Sequence, residues 1–356
     1  MHSQLHTPLS KLHTLSSAPF DCRGMLQVFP LLPLTLTLMH VYPLALTPRL
    51  YPRIWGGRSL QRELAPHSDF ELPLGEIWAV HGDLQIKNGA YAGESLDSLW
   101  SRVRTDMAGS CAAERFPLLV KWLDTSDWLS IQVHPDDVQA RLIEANPKAS
   151  GKVECWYVLA VDGPGELICG FAPGVTRADV ICGSGSDLLP LVQRQRVKPG
   201  DFLFVPAGTI HALGPGITVL EVQQSSDITY RFYDWDRRPV GGIVRPLHIP
   251  QARRALLDSL RIDIWGGWRP HQILGQLLTA NKHFAQELIR LDAPLEWKPE
   301  ALEILVVVNG EGELSLDGAS CNLTLGEVVL VPAVSRLVRI EPEQPMKIMR
   351  VILPTV

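Results

Sequence analysis

Apolar residues come in short runs along this chain, divided by glycine, proline and aspartate. Leu118–Leu123, Leu129–His134, Val153–Val161 and Phe202–Val205 are of this kind. Many short runs at such spacing predict strands of a sandwich or barrel rather than a parallel α/β sheet. Only three segments carry helical spacing. They are Leu96–Arg104, then Asp137–Asn146, which opens on carboxylates and closes on Asn-Pro, and then Gln251–Leu278, broken by Trp265-Gly-Gly-Trp268. The third is expected to be a short helical linker between two β-rich units.

Those two units share a rhythm. Glu154-Cys-Trp-Tyr-Val-Leu-Ala-Val-Asp-Gly163-Pro-Gly165 matches Glu303-Ile-Leu-Val-Val-Val-Asn-Gly310-Glu-Gly312: a strand followed by a glycine-bounded turn. Pro199-Gly-Asp-Phe-Leu-Phe-Val-Pro-Ala207 matches Leu325-Gly-Glu-Val-Val-Leu-Val-Pro-Ala333. Two copies of one pattern predict two related barrels, one in residues 39–250 and one in 251–356. Residues 1–38 read as an extension: Pro30 and Pro33 interrupt the apolar run 25–39, which is too short to cross a bilayer, and no small-x-small cleavage site follows.

Composition narrows the function classes. Of 356 residues, 20% are charged and 46% apolar, with a net charge of −5 and no basic stripe, so nucleic acid is excluded as an expected partner. Six cysteines without C-x-x-C spacing read as free thiols of a cytoplasmic protein. A membrane is not an expected partner, and a monomer or small homo-oligomer is.

The segment Gly200-Asp-Phe-Leu-Phe-Val-Pro206-Ala-Gly208-Thr-Ile-His211 ends a strand in a Pro-Ala-Gly turn and delivers a histidine at the start of the next. Strand alternation puts Gln132 and His134 on one face of Ser130–His134, and Lys152, Glu154 and Trp156 on one face of the next run. Turned inward together, Gln132, His134, Glu154 and His211 would offer two imidazoles, a carboxylate and an amide oxygen. Zinc suits that mixed set, and manganese or iron also binds such ligands. Taken singly, each has a plainer role: His211 in a turn, Glu154 as an edge charge, Gln132 bonding a loop. The conjunction of three segments favours the metal reading. At the place of His211 the second copy has Leu337, and no pair like Gln132 and His134 precedes Glu303, so the second barrel is expected to be metal-free.

Gly200–His211 resembles the second motif of the cupin superfamily, small jelly-roll barrels that often hold a metal. More specifically, Phe116-Pro-Leu-Leu-Val-Lys121, Leu129-Ser-Ile-Gln-Val-His-Pro-Asp136, Gly151-Lys-Val-Glu-Cys-Trp-Tyr157 and Glu221–Trp235 resemble type I mannose-6-phosphate isomerases. Leu46–Gly57 and Gly75-Glu-Ile-Trp78 fit the short bacterial branch of that family, while Val80-His81-Gly82-Asp83 departs from its loop. The resemblance implies an all-β fold of two cupin-like jelly-roll barrels. It implies one zinc ion per chain on Gln132, His134, Glu154 and His211, with Arg231 as the active-site arginine. Lys121, Lys152 and Glu221 would line a sugar-phosphate pocket, with Glu221, Lys152 or a zinc-bound water as the base. The expected reaction interconverts mannose 6-phosphate and fructose 6-phosphate through a cis-enediol. The rival expectations are an iron-dependent dioxygenase of the cupin type and a non-catalytic sugar-phosphate sensor.

Overall fold

The computed structural model describes residues 40–111, 113–237, 245–257 and 270–355. The extension over 1–38 and the Trp265-Gly-Gly-Trp268 break lie outside them. Among the described residues, four antiparallel sheets carry the fold, with a few short helices, as an all-β chain requires.

One six-stranded sheet runs, edge to edge, through Arg49–Gly57, Leu74–Val80, Leu118–Asp124, Ile217–Gln224, Glu154–Val161 and Phe202–Val205. A five-stranded sheet of Tyr230–Tyr233, Ile131–Val133, His211–Leu213, Glu166–Phe171 and Val192–Arg196 faces it. Trp156, Val158 and Val219 from the first sheet meet Leu167, Cys169 and Leu213 from the second in one apolar cluster between them. Each central strand is buried on both faces, so its residues alternate between this interior and a different core behind. There Leu118, Val120, Leu220 and Val222 pack with Leu99 and Trp100 of the helix Leu96–Ala108 and with Ile304, Val306 and Val351 from the C-terminal half. The back of the first sheet is thus apolar and its front is free to carry chemistry.

The C-terminal half repeats the arrangement. Leu44–Ala45, Val328–Val331, Glu303–Asn309, Met346–Ile352, Ala285–Leu291 and Gln276–Ala280 form a second six-stranded sheet, facing Leu295–Trp297, Val338–Pro342, Gly312–Leu316 and Ala319–Leu323. The repeat seen in sequence is kept in register: Glu154 pairs with Val205 and Glu303 with Val331, and each strand pair continues residue for residue.

Several expectations change at element level. Leu129–His134 narrows to the strand Ile131–Val133, and the helix expected over Asp137–Asn146 ends at Ile143. That helix starts where Asp136 accepts from the Gln139 amide and the Gln139 side chain returns the bond. Of the helical stretch 251–278, Ile249–Ala255 is helix, but Gln276–Ala280 is a strand. Asn281 Oδ1 accepts from the amides of His283 and Phe284 and folds that strand back onto Ala285–Leu291. Backbone pairing there overrides the apolar spacing. Ser59–Leu64 and Arg177–Cys182 are helices that the apolar pattern did not mark.

Candidate functional site

The predicted ligand residues converge. His211 opens its strand directly opposite Gln132, and Gln132 is opposite Arg231, so the three stand side by side across the five-stranded sheet. His134 follows the end of Ile131–Val133 on the Gln132 face. Across the interior, Glu154 opens its strand on the six-stranded sheet. The imidazole nitrogens of His134 and His211 and a Glu154 oxygen lie within 4.8 Å of one another, and each residue is about 1% exposed.

Hydrogen bonds fix how these groups face. His134 Nδ1 lies 2.8 Å from the Ile228 carbonyl and His211 Nδ1 lies 2.9 Å from the Thr209 carbonyl. Each Nδ1 therefore carries the proton and donates, which leaves Nε2 as a lone pair aimed inward. Those lone pairs point at the carboxylate, at 3.4 Å from Glu154 Oε2 for His134 and 3.2 Å from Oε1 for His211. Acceptors facing acceptors in a buried place repel unless a cation lies among them. Lys152 Nζ supplies part of that charge, 2.8 Å from Glu154 Oε2 and 3.1 Å from His134 Nε2. Gln132 brings its amide within 3.3 Å of His211 Nε2, and a half-turn of the amide presents its oxygen in place of the nitrogen. Two imidazole lone pairs, a carboxylate and an amide oxygen fit a transition metal.

Electrostatics agree with that fit. Burial, helped by Lys152, holds His134 well below the usual histidine range, so it stays a neutral ligand. Burial pushes the Glu154 pKa up, but Lys152, in contact with its carboxylate, outweighs it and keeps the group ionised, well below the carboxylate range.

Above this cluster opens a cavity of about 1390 Å³, lined by Glu154 and Gln132 among others. Its floor carries a row read straight from strand register. Trp78 is opposite Lys121, Lys121 opposite Glu221, and Glu221 opposite Trp156. Lys121 Nζ lies 3.3 Å from Glu221 Oε1, and Lys152 Nζ lies 3.9 Å from the same oxygen. Trp156 Nε1 donates to Glu221 Oε2 at 3.2 Å, while Oε1 accepts no hydrogen bond. Burial raises the Glu221 pKa, more than the two lysines lower it. Arg231 also lines the cavity with its Nε buried and unpartnered, and burial beside Arg245 pulls its pKa down. All eight residues expected from the sequence therefore meet at one place.

Sequence reading missed Glu76, Arg53 and the pair Lys282–His283, which also line the cavity. Glu76 stood two residues before Trp78, so the alternation used for Gln132 and His134 would have found it. Lys282 and His283 had no local signal, since they reach the cavity only through the turn of the C-terminal hairpin. Lys282 Nζ is 3.1 Å from Asp137 Oδ2, and His283 Nε2 is 3.8 Å from it. Asp137 also accepts from Gly151 N and Gln224 Nε2.

This cluster has a pH signature. Burial pushes His283 down to about 4, although Asp137 pulls the other way. The unfolded chain takes a proton on His283 near pH 6.5 and the folded one resists until about 4, so stability falls as pH drops through that window. Asp137, pushed up by burial but held at about 2 by its Gln224 and Gly151 hydrogen bonds, contributes stability that is lost only as pH falls below about 4. Urea denaturation of His283→Gln beside the parent is expected to show a smaller loss between pH 6.5 and 4, by up to roughly 3 kcal/mol. Parallel losses in the two proteins would refute the assignment to His283.

Fold and site together define an all-β sandwich protein with a buried cluster of metal-ligating chemistry beneath a polar cavity. Residues 44–171 match the family described as phosphomannose isomerase type I, catalytic domain. The mannose-6-phosphate isomerase of Streptococcus mutans is 35% identical over 302 residues, 82% of this chain and 92% of that protein. A probable mannose-6-phosphate isomerase of Bacillus subtilis, GmuF, is 42% identical over 219 residues, 60% of this chain and 68% of that protein. The crystal structure of the mannose 6-phosphate isomerase from Bacillus subtilis superposes with a TM-score of 0.76 at 31% identity, covering 87% of this chain and 99% of that one. The chain belongs to the type I phosphomannose isomerase family.

Proposed function

We propose that this chain interconverts mannose 6-phosphate and fructose 6-phosphate by moving a proton between C2 and C1 through a cis-enediol. The observation that carries the reading is the convergence of His134, Glu154 and His211, with Gln132, on the inner face of a Lys–Glu row. Zinc, held by Gln132, His134, Glu154 and His211, would act when bound as a Lewis acid toward the sugar oxygens. Lys121 and Lys152 bind the anionic and hydroxyl oxygens of the sugar phosphate as point charges. Arg231, with its buried Nε lacking a partner, is left to stabilise the enediolate charge. Glu221 would carry the proton, a role supported by its Oε1, which accepts no hydrogen bond, and by a raised pKa, which suits a group that both takes and returns a proton.

The matched registers support reading the two pairs of facing sheets as two cupin-like jelly-roll barrels, the catalytic one in 39–250 and the second in 251–356. No helix among the described residues is long and apolar enough to cross a membrane, and the five described cysteines are unpaired. The unpaired thiols support a cytoplasmic location. The test is metal analysis of the purified protein beside a mannose 6-phosphate isomerisation assay run without oxygen. About one zinc per chain and anaerobic turnover are expected. Sugar-phosphate binding without turnover, or activity that consumes oxygen, would overturn the reading.

A further inference from the structure

One buried carboxylate on the cavity wall belongs neither to the ligand cluster nor to the group assigned to proton transfer. Glu76, in the strand Leu74–Val80, has both oxygens committed. Oε1 accepts from Arg53 Nε at 2.7 Å, and Oε2 accepts from Trp78 Nε1 at 2.7 Å. Lys121 Nζ lies 3.8 Å from Oε2. The three residues it holds all line the cavity. Trp78 extends into an aromatic wall, its ring 4.8 Å from that of Tyr51 and 5.1 Å from that of His81, with the Arg53 guanidinium 4.8 Å over Tyr51.

Lys121 shows what the carboxylate does. Its ammonium is shared between two buried carboxylates, at 3.3 Å from Glu221 and 3.8 Å from Glu76, and closes to full contact with neither. Burial works against charge on both Lys121 and Glu76, but the mutual attraction, with Glu221 and Arg53 added, outweighs it and keeps both ionised. Buried charges attract with little screening. With the charge at position 76 gone, the ammonium would be pulled chiefly by Glu221 across the strand pair and would close on its Oε1. That oxygen is the one that accepts no hydrogen bond.

We propose that Glu76 is a positioning residue of the active site: it draws Lys121 back from Glu221, leaving Glu221 Oε1 without a hydrogen bond, and it fixes Arg53 and Trp78 on the opposite edge of the same row. The proposal rests on the isomerase reading above. It adds a residue that touches neither the ligand cluster nor the proton and acts through Lys121.

The test combines kinetics with one structure. Glu76→Gln keeps the volume and one amide oxygen but removes the charge. In the parent protein it is expected to lower kcat about tenfold, with KM changed less than about threefold and metal content unchanged. In a Lys121→Met background the same substitution is expected to change kcat less than about twofold, because the residue it acts through is gone. A crystal structure of Glu76→Gln is expected to show the Lys121–Glu221 separation shortened to about 2.8 Å. Equal losses in both backgrounds would overturn the proposal, as would an unchanged kcat in the single variant. If Lys121→Met is inactive, the Lys121–Glu221 distance decides: no shortening refutes it. A parent protein without isomerase activity would instead refute the function, and that is read first.

Discussion

Replacing His211 by alanine is expected to remove the bound metal and nearly all isomerase activity while leaving the fold standing. The imidazole is one of two whose Nε2 lone pairs face Glu154, and its orientation is fixed by donation from Nδ1 to the Thr209 carbonyl. Alanine keeps the backbone pairing of position 211 with Gln132 and Cys169, so the strand has no reason to move. Three ligand groups would remain, one of them a weakly binding amide. Loss of a residue that merely orients a ligand costs about 10–100-fold in metal affinity, so loss of the ligand itself is expected to exceed 100-fold. Activity is expected to fall by about 1000-fold or more, as for other groups that stabilise developing charge. His211 is a cleaner choice than His134, whose Nε2 also receives Lys152, so that truncation there would disturb a buried ammonium as well. Metal content after gel filtration, turnover and a circular dichroism spectrum check the three parts together. A folded His211→Ala protein that is metal-free and fully active would sink both the metal assignment and the mechanism.

The ligand set was legible in the sequence because a strand has a period of two. Gln132 and His134 share a face for the same reason that Lys152, Glu154 and Trp156 do, and the Pro206–Gly208 turn can aim only one residue after it. Glu76 was open to the same reasoning. The remainder was hidden because it is made by distant partners. The helix Ser59–Leu64 begins where Asp124 Oδ2 accepts from the amides of Ser59 and Leu60, so its cap comes from another strand. Arg177–Cys182 does announce itself, through Thr176 and Asp179 in a capping box, but it is too short for apolar spacing to show. The strand Gln276–Ala280 has helix-like spacing and is settled only by pairing with Ala285–Leu291. Lys282 and His283 reach the cavity for the same reason, because that hairpin folds as it does.

Arg350→Met is expected to destabilise the protein by about 3–5 kcal/mol, the usual result of removing one partner from a buried ion group. The residue occupies the place in the second sheet that Glu221 occupies in the first. Glu221 is opposite Lys121 and Trp156, and Arg350 is opposite Glu287 and Leu305. The charges are reversed: Lys121 beside Glu221 in one half corresponds to Glu287 beside Arg350 in the other, while Glu154 corresponds to Glu303. The guanidinium donates to Glu303 through Nε at 2.8 Å and to Glu287 through Nη1 at 2.5 Å, and Trp297 Nε1 donates to Glu303 at 2.9 Å. Position 337, aligned with His211, is an exposed leucine. The second half thus meets its buried carboxylates with an internal cation, where the first leaves imidazole lone pairs for an external one. Arg350→Met leaves Glu287 and Glu303 buried without that cation, and burial already raises the Glu303 pKa with Arg350 in place. Changing all three together, Glu287→Gln, Glu303→Gln and Arg350→Met, removes the uncompensated charge and is expected to recover more than half of the loss. Urea denaturation of the parent, the single and the triple variant checks the prediction. A single variant within about 1 kcal/mol of the parent would show that the triad is not holding the second sandwich closed.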